Sequence, residues 1–211
     1  MPRLYLPEIS SSPNDYLLGL WEMSDSPSSL LTDYPDLRKC TAGMLDKKSE
    51  VKRLEYISVR ALLLDIMGYV PDIKHNIDGK PLLLGGENIS ISHTRGYAAV
   101  ILSKKYNVAV DIEYISDRVC RIADRFLRDD EDAESTIQKI ISWCAKETLY
   151  KLHSSEKLRF QDMRIENVKD INDSMSSSGT FYIENLKRSV RILMSYIVTD
   201  MFVITYAVEK I

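Results

Sequence analysis

The amino-acid sequence predicts an α+β protein of two similar lobes related as a pseudo-twofold pair. Two observations carry this expectation. The order strand, helices, strands occurs twice along the chain, and the second round begins near residue 105. Each round also contains one long segment with apolar residues at helical spacing. The expected lobes are therefore residues 1–105 and 106–211, and a length of 211 residues suffices for two such lobes.

The elements follow in order. "DYLLGLWEMS" (15–24) has strand character, and the Ser/Asp/Pro cluster "SDSPSSLLTDYPD" breaks it. From Ser49 to Met67, apolar residues recur at 51, 54, 57, 61 and 64, which is helical spacing. Ser49 is the expected N-cap and Gly68 the stop. "NIDGKPLLL" carries an Asp78-Gly79 turn between apolar flanks. "ENISISHT", "YAAVILS" and "VAVDIEYI" read as three strands. Helical sequence resumes in "DRVCRIADRFL" and in a longer segment from about Asp130 to His153. Four strands close the chain: "LRFQDMRIEN", "GTFYIENL", "VRILMSYIV" and "DMFVITYAVE".

Composition narrows the function. With 45% hydrophobic and 28% charged residues the chain is an ordinary globular protein, and a net charge of −3 argues against nucleic-acid or membrane-surface binding. Three cysteines at wide spacing offer no CxxC zinc pair and no disulfide framework, so they read as reduced thiols of a cytoplasmic protein. The N-terminus lacks the basic-then-apolar layout of a signal peptide, and no apolar run reaches the length of a membrane span.

Four short stretches carry chemistry. In "NVAVDIEYIS", Asp111 and Glu113 are one residue apart, so a strand points both to one face. Alone, such a pair reads as a strand-end cap or an arginine partner. In "SWCAKETLYKLH", Trp143, Glu147, Tyr150 and Lys151 share overlapping helical positions, and Glu147 with Lys151 also reads as a solvated surface pair. "SISHTRG" places Ser92 and Thr94 on one strand face and His93 on the other. "DGKPLL" holds Lys80 beside a tight turn, while Arg53 and Arg60 lie two helical turns apart on the 49–67 helix.

Together, Asp111, Glu113 and Glu147 form an all-oxygen donor set suited to a hard cation such as Mg²⁺. Lys80, His93, Lys151 and the arginines are donors of the kind that phosphates attract. No GxxxxGK[ST], GxGxxG or GxSxG is present. The residues therefore reach a metal-assisted site for a pyrophosphate-bearing ligand.

The series "GKP…NISISHT…VAVDIE…RFLRDDE…WCAKETLYK" resembles the 4′-phosphopantetheinyl transferases of the larger, surfactin-synthetase-activating type. That family carries a G-K-P turn, an S-x-S-H-S strand, a G-[IV]-D-I-E strand, an R-F-F/L-x-x-x-E segment and a W-x-x-K-E-x-x-x-K helix. The five motifs stand in the family's order over roughly residues 52–151. The resemblance implies two α+β lobes with coenzyme A in the cleft between them. It also implies a holo-[acyl-carrier-protein] synthase type activity, which moves the 4′-phosphopantetheine arm of coenzyme A to a serine of an apo acyl- or peptidyl-carrier protein. The co-product is adenosine 3′,5′-bisphosphate.

By the same resemblance, Asp111, Glu113 and Glu147 ligate Mg²⁺ (or Mn²⁺). Glu147 binds the metal or deprotonates the carrier serine, and Lys151 meets the phosphates. Lys80, Ser92 and His93 contact the coenzyme, and "KRLEYISVR" brings Arg53 and Arg60 towards its adenine-side phosphate. A monomer is implied. Ala109 stands where the family has glycine, Thr94 where it has serine, and "LHSSEKLRF" departs from the family after Lys151. A non-catalytic module that binds coenzyme A or a carrier protein is the alternative. A magnesium-dependent phosphohydrolase is a third reading.

Overall fold

The computed structural model describes residues 3–5 and 15–211. The chain forms two compact units, Met1–Lys105 and Tyr106–Ile211. Each sets one long helix against an antiparallel sheet, as the two similar α+β lobes expected from the sequence require.

The first unit contains β1 (Arg3–Tyr5), β2 (Leu17–Glu22), α1 (Pro27–Asp33), a 3₁₀ turn (Pro35–Cys40), α2 (Thr41–Leu45) and α3 (Glu50–Met67). It continues with β3 (Ile73–His75), β4 (Pro81–Leu83), β5 (Asn88–Thr94) and β6 (Tyr97–Ser103). The sheet order is β1-β2-β6-β5-β4-β3. The Ser/Asp/Pro cluster does more than break β2. The Ser26 hydroxyl accepts from the Ser29 N–H and Pro27 occupies the first turn, so the cluster starts α1.

The Ser49 hydroxyl caps α3 by accepting the Lys52 N–H at 3.2 Å, and Gly68, at φ 75°, ends the helix in the left-handed conformation that glycine adopts at least cost. Of the apolar positions read from the sequence, Ile57 and Ala61 are fully buried, Leu54 and Leu64 are partly so, and Val51 is exposed. Leu62 and Leu63 are fully buried beside them. Each fully buried Ile or Leu side chain contributes roughly 1.5–3 kcal/mol of transfer free energy. The helix lies close over β2: a Cβ at Gly19 would stand 2.7 Å from Ile66 Cδ1.

The second unit runs β7 (Tyr106–Tyr114), a 3₁₀ turn (Val119–Ile122), α4 (Ala123–Phe126) and α5 (Thr136–Leu152). Then come β8 (Met163–Ile165), β9 (Ser178–Asn185), β10 (Val190–Val198) and β11 (Phe202–Lys210). Its sheet order is β7-β11-β10-β9-β8, so the first and last strands of the unit are neighbours. The long helix begins at Thr136 rather than near Asp130. Ser135 and Gln138 form a capping box there, and Glu131 is drawn out of helical geometry to accept the Ile165 N–H. Among the described residues, no helix is long and apolar enough to cross a membrane.

Candidate active site

In β7 the alternation of a strand sends Ala109, Asp111 and Glu113 to one face. They register with Ala207, Thr205 and Val203 of β11. Ala109 is fully buried in the second unit's core, so the methyl that departs from the family pattern is accommodated there. Over the same face lies α5. Its Thr148 hydroxyl contacts the Thr205 hydroxyl at 2.7 Å and the Cys144 thiol reaches the Val203 carbonyl at 3.8 Å, which pins the helix to β11. Trp143, Glu147 and Lys151, each four residues from the next, form the half-buried stripe of the helix.

Three hydrogen bonds tie this stripe to β7. Lys151 Nζ donates to Asp111 Oδ1 at 2.7 Å and to the Val110 carbonyl at 3.0 Å. Trp143 Nε1–H donates to Glu113 Oε1 at 3.0 Å. Burial pushes the Glu113 carboxyl up to about 7; the neighbouring charge of Asp111 adds to this, and the Trp143 bond and Lys151 oppose it. Glu147 is also raised, by burial first and then by Asp111. Three carboxylates thus share one partly desolvated space with one ammonium group.

Among the described residues, no three His, Cys, Asp or Glu side chains are closed into a ready cation cage. Asp111 and Glu113 each give one oxygen to a protein donor, Lys151 and Trp143. The donor set nonetheless fits a hard divalent cation, being all carboxylate oxygen and carrying a mutual repulsion that such an ion relieves. A pocket of about 210 Å³ opens beside Glu113, with Val119, Ile122, Ile140 and Trp143 among its walls and Arg118 and Ser116 as polar lining.

The remaining candidate residues stand in the first unit. Lys80 follows a tight turn in which its N–H donates to Asn76 Oδ1 at 2.8 Å and Gly79 takes φ 82°. Ser92 is buried in β5 opposite Ala99, while His93 is exposed with Nε2 3.6 Å from Glu55 Oε2 of α3. Arg53 Nε–H donates to the Lys47 carbonyl. Arg60 stacks on the Tyr56 ring, 3.3 Å from its centroid, and donates to the Tyr56 carbonyl. The structure therefore gathers Asp111, Glu113, Glu147 and Lys151, and gives Arg53 and Arg60 separate local partners.

Two interactions are not legible in the sequence. Trp143 stands there only as one position of a helix face, whereas its half-buried indole N–H needs an acceptor and Glu113 provides it. Lys146, the residue before Glu147, is wholly buried against Glu131.

No curated protein matches the chain. A family model described as the 4′-phosphopantetheinyl transferase superfamily matches residues 107–207, the segment holding β7, α5 and the three carboxylates. The general activity of that superfamily is transfer of a phosphopantetheine group. The second unit of this chain is accordingly a domain of the 4′-phosphopantetheinyl transferase superfamily.

Proposed function

We propose that the protein transfers the 4′-phosphopantetheine arm of coenzyme A to a serine of an apo acyl- or peptidyl-carrier protein, in a Mg²⁺-dependent reaction that releases adenosine 3′,5′-bisphosphate. One observation carries the reading. The carboxylates of Asp111 and Glu113 face Glu147 and Lys151 across β7 and α5, inside the segment that matches the superfamily.

Asp111, Glu113 and Glu147 would hold the cation, which when bound supplies positive charge to the coenzyme's diphosphate. Lys151 brings a second positive group to the phosphates. Its bond to Asp111 keeps the ammonium directed along the site. Glu147 either completes the cation site or takes the proton of the carrier serine, directly or through water. Its raised affinity for protons suits the second role, and its place on α5 fixes its position. The serine oxygen then bonds to the pantetheine-side phosphorus as the bond to the adenosine-side phosphate breaks. The apolar walls of the pocket beside Glu113, Val119, Ile122 and Ile140, face the uncharged arm, and Arg118 and Ser116 offer polar groups beside them. Lys80, Ser92 and His93, with Arg53 and Arg60, supply the remaining coenzyme contacts. The reading is of a monomer working in the cytoplasm.

The test is incubation with apo carrier protein, coenzyme A and Mg²⁺, followed by weighing the carrier. Gain of one phosphopantetheine arm is the expected result. No gain on any of several fatty-acid, polyketide and peptide carriers overturns the reading.

A further inference from the structure

The carboxylates and Lys151 have roles in this reading, but the indole of Trp143 and the segment "RFLRDDE" (125–131) have none. Their contacts form one continuous support. The Trp143 ring meets Phe126 edge-on, with centroids 5.2 Å apart at 77°, and meets Phe160 at 5.2 Å and 39°. Phe126 and Phe160 also touch edge to face, at 6.3 Å. Phe126 is fully buried, and its carbonyl accepts from Lys146 Nζ at 2.7 Å. Lys146 pairs in turn with Glu131, which also takes the backbone N–H groups of Arg128 at 2.9 Å and Ile165 at 2.6 Å. Neither ionic side chain has any exposed surface.

An aromatic ring held by two others has little rotational freedom, so packing sets the direction of its N–H. Glu113, by contrast, lies near the end of β7 and is only half buried. A single fixed donor at one of its oxygens selects one carboxylate orientation and leaves the other oxygen for a ligand.

The geometry points to Trp143 as a positioning residue. Its indole N–H, braced by Phe126 and Phe160, fixes the Glu113 carboxylate in the orientation from which it meets a cation. This inference rests on the reading of Asp111, Glu113 and Glu147 as cation ligands.

The experiment is calorimetric titration of Mn²⁺ into the full chain, without coenzyme or carrier, so it is read independently of transfer. Wild type is compared with Trp143→Phe and with a chain carrying benzothienylalanine at 143, which keeps the ring's shape and replaces the N–H by sulfur. Removing the N–H is expected to weaken Mn²⁺ binding by about tenfold or more, with the melting temperature of the benzothienyl chain unchanged. In a Glu113→Gln background the same change is expected to add nothing, because Trp143 acts through Glu113. A core-filling role would instead lower the melting temperature and leave Mn²⁺ affinity alone.

If Trp143→Phe does not fold, the benzothienyl chain decides. Unchanged affinity, full additivity with Glu113→Gln, or a wild type that binds no Mn²⁺ overturns the inference. A protein that modifies its carrier yet binds Mn²⁺ independently of Trp143 loses only this inference. One that shows the Trp143 effect but modifies no carrier loses the transferase reading instead.

Discussion

Two lysines of α5, Lys146 and Lys151, each face a carboxylate, yet they sit in opposite circumstances. Five residues along a helix amount to about 140° of rotation, so the two point to different neighbours. Lys146 and Glu131 have 0% side-chain exposure, and their further hydrogen bonds run to the backbone groups of Phe126, Arg128 and Ile165. Lys151 retains 27% exposure, and its partner Asp111 retains 7%. The first pair has no room to exchange partners, whereas the second opens to solvent, where a phosphate can compete for the ammonium. What separates a structural ion pair from an available one here is enclosure, not the pairing of charges.

The largest expected effect breaks the enclosed pair. Lys146→Met strands the Glu131 charge, and urea unfolding should show a loss of about 3–5 kcal/mol. A loss below about 1 kcal/mol would place water or another cation beside Glu131. Next comes the open pair. Lys151→Met should slow transfer by about 10²–10³-fold while lowering stability less than Lys146→Met does, because this pair is partly open to solvent. Measuring rate and melting temperature on one preparation separates the two lysines, and a variant that melts early but transfers normally would reverse their roles.

The third effect concerns the cation. Mg²⁺ at a hundred times its dissociation constant should stabilise wild type by about 2.7 kcal/mol. Thermal unfolding of Asp111→Asn should show no such gain while the metal-free variant remains folded. A full gain in that variant would remove Asp111 from the ligand set.

The smallest effect lies in an ion pair outside the site. Hydrogen bonds from the Arg159 side chain and backbone hold the Asp162 carboxyl below the usual carboxylate range. A lowered folded-state value means stability that is present above the unfolded value near 3.8 and is lost as pH falls below it. Asp162→Asn should therefore cost less than about 1 kcal/mol at neutral pH, with the difference from wild type closing in acid. A difference that does not narrow as pH falls below the unfolded value would assign the effect to packing.

Local signals made much of this legible. Ser49 and Gly68 bound α3 because capping is decided within one turn. The one-residue gap between Asp111 and Glu113 was enough to put both on a single face, since strand alternation needs no tertiary information. The start of α5 was harder. Asp129, Asp130 and Glu131 look helical in sequence, but the acceptor capacity of Glu131 is claimed by Ile165, far along the chain. Lys146 was hidden for the same reason, since its partner lies in a loop whose path only the fold decides. Arg60 is a different case. Its stack on Tyr56 joins positions four apart on one helix, a neighbour relation that sequence spacing alone carries.

The pairing of β7 with β11 has a consequence for how the protein is made. Asp111 and Glu113 are synthesised well before Phe202, yet among the described residues the strand bonded to theirs within the sheet is the last of the unit, which registers from Phe202 to Lys210. Contacts between such distant segments form late, and on the ribosome they must wait until Lys210 has cleared the exit tunnel. A nascent chain stalled before Phe202 already carries every carboxylate of the site but not the strand that aligns them with α5.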